Sequence, residues 1–392
     1  MEYEQKSLAA WRAKVGGLAG TEVVARVWLE GGRAGVGSAR DGAGAVDAAL
    51  AQAATAAPCA DAGPADRMPQ VTGSIGIDDR RHSGIADADR HEVLQTAERA
   101  LAVGGVVLRS IRYSERREVR SYLSSRDVAL AGGATTYALE ASASLGSTTL
   151  SHRIASRHFS DVASLPFGTD LRRRLEALST PTTLPEAPLP VVLEPRAMAA
   201  LVRSLGPAFC ATAIDRTFVG AFRGKALASP ALHVTDDAAL ASGLLSRTFD
   251  DRGVPPITVA ILREGVVNSL LHDPETARAA GLRPTGHVGP GGLAPSNLVV
   301  RPGSRTRNVI LTELKDFLVV DEMPPVDLGN GRIAGEVNVV VFAGGQRQGG
   351  VRARVDTTAP VLLQQVAELA ADQERSEEVD APTAVFRGVA LQ

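Results

Sequence analysis

Cysteine is almost missing from this sequence. Cys59 and Cys210 stand far apart with no CxxC pair, which excludes a disulfide framework or a cysteine-based zinc cluster and makes a reducing cytoplasm the expected location. Aromatic residues make up only 4%, so Ala, Val and Leu must fill the core, and a base-stacking surface for nucleic acid is excluded. Charge of either sign is not in excess. The net charge is −2 and the pI about 6.4, leaving no field to attract a phosphate backbone or an anionic lipid surface. No run of about 18 apolar residues occurs, and the opening stretch from Met1 to Gly17 has acidic residues where a secretory leader would be basic. Neither nucleic acid nor membrane is an expected partner. Lysine is restricted to Lys6, Lys14, Lys225 and Lys315; with arginine, alanine and glycine in abundance, the bias is that of a GC-rich genome such as an actinobacterial one.

What is present is a chain of 392 residues, 44% of them hydrophobic, long enough for two cores. A short helical opening is expected, then a half-buried strand over Glu22 to Glu30, where valine alternates with polar residues, followed by glycine-rich turns and a helix over Ala45 to Ala57. Gly35 and Gly37 suggest a dinucleotide-binding loop, but Arg40 stands where the third glycine belongs, so a plain turn is the preferred reading. Asp87 to Val103 has the period of an amphipathic helix. Alternating stretches at Val106 to Tyr113, Glu118 to Leu123 and within Thr135 to Ala155 read as strands. The segment Ser179 to Pro190 carries four prolines and no apolar period, as an interdomain linker does. Beyond it come one helix, Pro195 to Leu205, and then mostly strands. The expected class is α+β: an N-terminal α/β-mixed domain over 1–178, a linker over 179–190 and a sheet-dominated domain over 191–392.

From Pro195 onward a series of short motifs occurs in order: Gly224-Lys225-Ala226, Ala228-Ser229-Pro230, Val234 to Asp237, Asp250-Asp251-Arg252-Gly253, the strand-turn-strand of Ile261 to Leu271, Ala277 to Gly286, and Pro302-Gly303. This series resembles the TldD/PmbA metallopeptidase family, whose catalytic members carry HExxxH on a helix and a cysteine ligand near the C-terminus. Laid on that pattern, Val202, Arg203 and Pro207 occupy the positions of the histidine, glutamate and second histidine, and neither cysteine lies beyond Cys210. Two imidazoles on one helix face hold zinc and the glutamate activates its water, so these replacements remove both functions.

The resemblance therefore implies a zinc-free, TldE/PmbA-like subunit with no cofactor of its own and no catalytic residue. It implies a TldD-like partner that carries HExxxH and zinc, together forming a cleft for an extended peptide or a small amide, in a natural-product (antibiotic) pathway. The expected contact for substrate or partner is Thr248, Phe249, Asp250, Asp251, Arg252 and Gly253, within a sheet edge over Thr248 to Thr258. Arg252 stands where the family has glutamate, and a compensating charge is expected across the subunit interface.

Other sites are weaker. His91-Glu92 lacks a second histidine at metal spacing, and a solvated helix face is the plainer reading. His152 and His158 can share a strand face, with Asp161 as the one nearby acid. Asp250 and Asp251 read as turn-capping residues before paired acids. No GxSxG elbow or phosphate-binding loop occurs. Two alternatives stay open: a stand-alone hydrolase drawing on His233, His272, His287 and the acids from Asp236 to Asp251, and a structural or regulatory homodimer built through the C-terminal sheet.

Overall fold

The computed structural model describes residues 2–5, 11–14, 23–29, 33–57 and 74–392; Cys59 lies outside them. The expected helical opening is replaced by two strands, β1 (Glu2–Gln5) and β2 (Trp11–Lys14). They pair with each other, and β1 adds to a long strand further on. A helix this short is marginal alone, whereas a strand edge supplies a ready ladder of hydrogen bonds.

β3 (Val23–Leu29) and β4 (Arg33–Ala39) form an antiparallel ribbon covered by α1 (Gly42–Thr55). Gly35 and Gly37 thus lie in a strand and not in a turn. Their spacing of two puts both on one face, where a Cβ would fall 2.0 Å from the Ala49 carbonyl oxygen at Gly35 and 2.4 Å from that of Ala45 at Gly37. Helix and strand meet backbone to backbone, with Ala45, Ala49 and Ala53 fully buried between them. Asp41 caps α1 by accepting from the Gly44 N–H at 2.8 Å.

α2 (Asp87–Leu101) precedes β5 (Val107–Ser124), β6 (Val128–Leu145) and β7 (Thr148–Ser156), which give a sheet of order β2-β1-β5-β6-β7. Two separate strands were expected where β5 runs unbroken. The polar run Ser114 to Arg117 breaks the apolar alternation, but β6 continues the ladder across it. α3 (Phe159–Ser164) and α4 (Phe167–Ser179) complete this half. Leu94, Leu101, Ile111, Tyr113, Leu171 and Leu175 form its core. At the core's rim Arg90 grips Glu115 through two contacts of 2.9 Å, and the Tyr113 hydroxyl donates to the same carboxylate at 2.7 Å.

After the extended segment up to Pro190, β8 (Val191–Leu193) and α5 (Pro195–Leu205) open the second half. Proline at the first helical position and an apolar face of Met198, Leu201, Val202 and Leu205 make α5 legible from sequence. There follow β9 (Val234–Asp237), β10 (Thr258–Arg263), β11 (Val266–Val267), α6 (Pro274–Ala280), the small ribbon β12 (Val288–Gly289) and β13 (Gly292–Leu293), and β14 (Leu298–Val300). Next are α7 (Arg307–Leu314), β15 (Phe317–Val320), β16 (Arg332–Ala343), β17 (Gln346–Thr358) and α8 (Ala359–Gln364). The chain closes with β18 (Val366–Leu369), β19 (Glu374–Ser376), β20 (Val379–Ala381) and β21 (Ala384–Phe386).

These strands make two six-stranded sheets, β11-β10-β9-β14-β20-β19 and β17-β16-β15-β8-β21-β18. One apolar cluster draws on both sheets and on α5. The fold is α+β throughout. None of the described helices is long and apolar enough to cross a membrane.

The glycine contact between β4 and α1 predicts that Gly37→Val destabilises that unit by about 1–3 kcal/mol, the ordinary cost of overpacking. Hydrogen exchange of α1 amides should accelerate, while that of α5 stays as it is.

Candidate functional site

α5 presents Val202 to the shared core, where it is 4% exposed. Arg203, one position on, turns the other way. Its Nε donates to the Glu378 carboxylate and its Nη2 to the Ser376 carbonyl at 2.7 Å, with Glu377 at 3.6 Å. Glu377 also pairs with Arg153 of β7. Glu377 and Glu378 form the two-residue turn between β19 and β20, with Glu377 held at φ +57°. Pro207 is the second residue of a short 3-10 turn after α5, Gly206–Phe209, and is exposed. The arrangement is thus an alternating row, Arg153, Glu377, Arg203, Glu378, that ties the N-terminal sheet to α5 and to the β19–β20 turn. These residues do not suit a metal ion: an aliphatic side chain, a guanidinium already engaged by acids and a proline ring supply no lone pair. Among the described residues no three His, Cys, Asp or Glu are grouped to hold one.

The segment 248–257 is a loop and not the expected sheet edge. Its backbone is engaged in turns and loop contacts: Asp250 N–H donates to the Val254 carbonyl at 2.9 Å, Gly253 N–H to Asp250 at 3.0 Å and Asp251 N–H to Val288 at 3.0 Å. Of the six residues singled out, Phe249, Asp250, Arg252 and Gly253 are buried, and Thr248 and Asp251 are partly exposed. The loop docks on β5 and β6 of the same chain. The Arg120 guanidinium lies 6.0 Å from the Phe249 ring centre and pairs with Asp251. Gly253 sits at φ +73° with a Cβ position 2.4 Å from the Tyr122 ring.

Arg252 finds its counter-charge inside the chain. Glu275 meets it in two contacts of 2.8 and 3.2 Å, and the Arg252 side chain is only 6% exposed. The compensating charge expected across an interface thus has an intrachain counterpart in Glu275. Asp250 caps the turn as its sequence context suggested: its carboxylate accepts from the N–H groups of Arg252, Val254 and Val288 at 2.8, 2.9 and 3.1 Å. Burial still pushes its pKa above the usual carboxylate range, against those donors.

Of the residues named for a stand-alone hydrolase, the fold brings together Asp236 and His287 and adds Ser296. His287 Nε2 lies 3.1 Å from Asp236, its Nδ1 lies 2.8 Å from the Thr285 carbonyl, and Ser296 gives Asp236 both its hydroxyl and its N–H, the latter at 2.9 Å. The serine hydroxyl donates to the carboxylate and not to the imidazole. A nucleophile needs its base on the hydroxyl, and this cluster is 0–1% exposed, so the geometry is that of a tie between β9 and the 285–297 segment. His272 bonds Thr276 at 3.2 Å, and His233 joins neither. Ser296 carried no sequence signal, standing 60 positions from Asp236.

The remaining histidines are separate. His152 stacks on Phe167 at 4.7 Å, and burial, reinforced by Arg196 and Arg174, takes its pKa down to about 3, so it is neutral at pH 7. His158 Nε2 lies 3.3 Å from the Ser242 hydroxyl. Cys210 is buried, with its thiol pushed up to about 12 by burial, chiefly, and by nearby carboxylates, which makes it unreactive.

The family described as PmbA/TldA metallopeptidase C-terminal domain matches residues 186–392, and the chain belongs to that metallopeptidase family. A protein of Methanothermobacter thermautotrophicus named metalloprotease is 26% identical over 286 residues, which cover 67% of this chain and 62% of that relative. The alignment thus spans less than two thirds of the relative's length. Three solved structures share the fold. A candidate modulator of a DNA gyrase from Thermotoga maritima matches with TM-score 0.85 and 20% identity, covering 95% of this chain and 89% of its own. TldE from Thermococcus kodakarensis matches with TM-score 0.83 and 18% identity, covering 100% and 93%. A candidate modulator of DNA gyrase from Bacteroides thetaiotaomicron gives 0.82 and 17%, covering 100% and 92%.

Arg252→Glu should destabilise the monomer itself, by about 2–3 kcal/mol, because it breaks a pair that is buried on the arginine side and partly open on the glutamate side, and sets two carboxylates together. Chemical unfolding of the isolated chain checks this; a folded monomer of unchanged stability would refute the intrachain account. Arg203→Ala, at a half-exposed position, should cost about 2 kcal/mol.

Proposed function

We propose that this chain is the zinc-free subunit of a two-subunit metallopeptidase, paired in the cytoplasm with a homologue that carries HExxxH and the zinc. The observation that carries this reading is the Arg203 network on α5. The helix that holds the metal ligands in catalytic relatives is here committed to a structural ion-pair row, while the fold around it is kept.

In this reading the chain supplies binding surface, and the partner supplies the chemistry. The 248–257 loop offers no strand edge, but β7 and β19 are outermost in their sheets, and the Arg153–Glu377 contact brings their neighbourhoods together beside α5. An extended peptide can satisfy its backbone on such an edge, which gives affinity without a metal. The substrate class is a peptide or small amide, and a role in a natural-product pathway accords with the arginine-rich, alanine-rich composition.

Co-expression with the HExxxH homologue of the same genome, purification through a tag on this chain, and measurement of zinc and amide hydrolysis test the proposal. Zinc and activity should appear only in the pair and vanish when the partner's histidines are replaced. Activity or bound zinc in this chain alone would overturn it.

A further inference from the structure

A cleft of about 380 Å³ opens where α4 meets β15 and β16, within the range of small-ligand sites. Its floor is apolar. Phe317 and Phe342, register partners on β15 and β16, stack at 4.6 Å and 10°. Its walls carry five arginines and four acidic residues. Asp321 is shared between Arg174 and Arg196, the latter at 3.0 Å, and Glu194 is taken by Arg307. Asp170 sits 3.5 Å from Arg173, and Glu374 is exposed.

Donors remain after that pairing. Arg174 Nη1 and Arg307 Nε are buried and have no hydrogen-bond partner among the described residues. Arg347, at the exposed start of β17, forms no ion pair among them. Buried donors without acceptors are exceptional, since each forfeits its bond to water. α5 starts at the same wall with Pro195 and Arg196, and its amino end adds positive partial charge. Spare cationic donors above an aromatic floor suit a ligand with a negative head and an apolar body. A planar carboxylate matches the guanidinium fork.

We infer that this cleft binds a small carboxylate bearing an aromatic or branched aliphatic group, as the C-terminal end of a peptide with an apolar last residue does. The site lies apart from the Arg203 network and does not depend on the paired-subunit reading. Arg174 comes from the N-terminal half while Phe317, Phe342 and Arg347 come from the C-terminal half, so an occupant would bridge the two.

Titration calorimetry of the full chain tests it with three probes: N-acetyl-L-phenylalanine, its C-terminal amide, and N-acetylglycine. The acid should bind, the amide and the glycine compound about tenfold more weakly or worse, in line with loss of one charge-assisted bond or one buried ring. Arg347→Ala, on an exposed side chain that leaves the fold intact, should weaken the acid several-fold and leave the amide unmoved, and Phe342→Leu should weaken the acid too. Equal binding of acid and amide, no binding of the acid, or an affinity indifferent to both substitutions would each overturn the inference. Inorganic phosphate competing as well as the acid would reduce the site to an unselective anion trap and overturn it too.

Discussion

A charge taken out of water must be met by an opposite charge or by hydrogen bonds, or the fold does not close over it. The joint between the two halves is organised by that requirement. Arg157, 7% exposed, has no carboxylate partner among the described residues; its guanidinium donates to the carbonyls of Thr135, Gly243 and Ser246 at 3.0, 3.1 and 3.2 Å. Burial lowers its pKa only to about 10, so it stays cationic at neutral pH. Two of these carbonyls come from the second half and one from β6. The guanidinium therefore fixes the 243–246 turn against the first sheet, and the 248–253 loop follows from that turn onto β5.

The same requirement accounts for the surroundings of α5. Val202 is absorbed by the apolar cluster, which has room for a branched side chain and no partner for an imidazole. Arg203 points toward the β19–β20 turn, where two consecutive glutamates would repel each other without a cation between them and the helix. Each of the four charges in the Arg153–Glu377–Arg203–Glu378 row is only partly exposed, the most open being Arg153 at 42%. The row is therefore stronger than an ordinary surface pair and weaker than a buried one. A charge-neutral strap of this kind holds α5, the first sheet and the β19–β20 turn in one arrangement.

Where a signal was local, the sequence could be read. Pro195–Leu205 was legible because proline at the first position and an apolar face at helical spacing both lie within eleven residues. The α+β class and the strands of the second half followed from alternation in the same way. Gly35 and Gly37 were misleading because glycine marks a close approach as well as a turn, and the approaching partner, α1, is recognisable only in three dimensions. The loop at 248–257 has the threonine, phenylalanine, valine and isoleucine of a strand, but Asp250 draws three backbone N–H groups onto one carboxylate and so curls the chain. Ser296 and Glu378, which complete the Asp236 and Arg203 clusters, stand 60 and 175 positions from their partners. No window along the sequence connects them.

The two halves touch through polar contacts that differ in kind. Arg157 is engaged by three fixed carbonyls and the Thr136 hydroxyl and serves as a tie. The arginines around Asp321 and Glu194 are over-supplied with donors: Asp321 already serves two guanidinium groups, and Arg174 reaches past it to Glu322 at 3.0 Å. Burial raises the pKa of Glu194 and lowers that of Arg196, in each case against the oppositely charged neighbours and with the like-charged ones, which marks the wall as a place where charge is held at a desolvation cost. Packing alone does not account for such a wall, because an apolar contact between α4 and β16 would join the halves with fewer unmet donors. An acceptor arriving from outside would complete the bonds that the chain leaves open, and the stacked rings beneath set what the rest of that molecule must be.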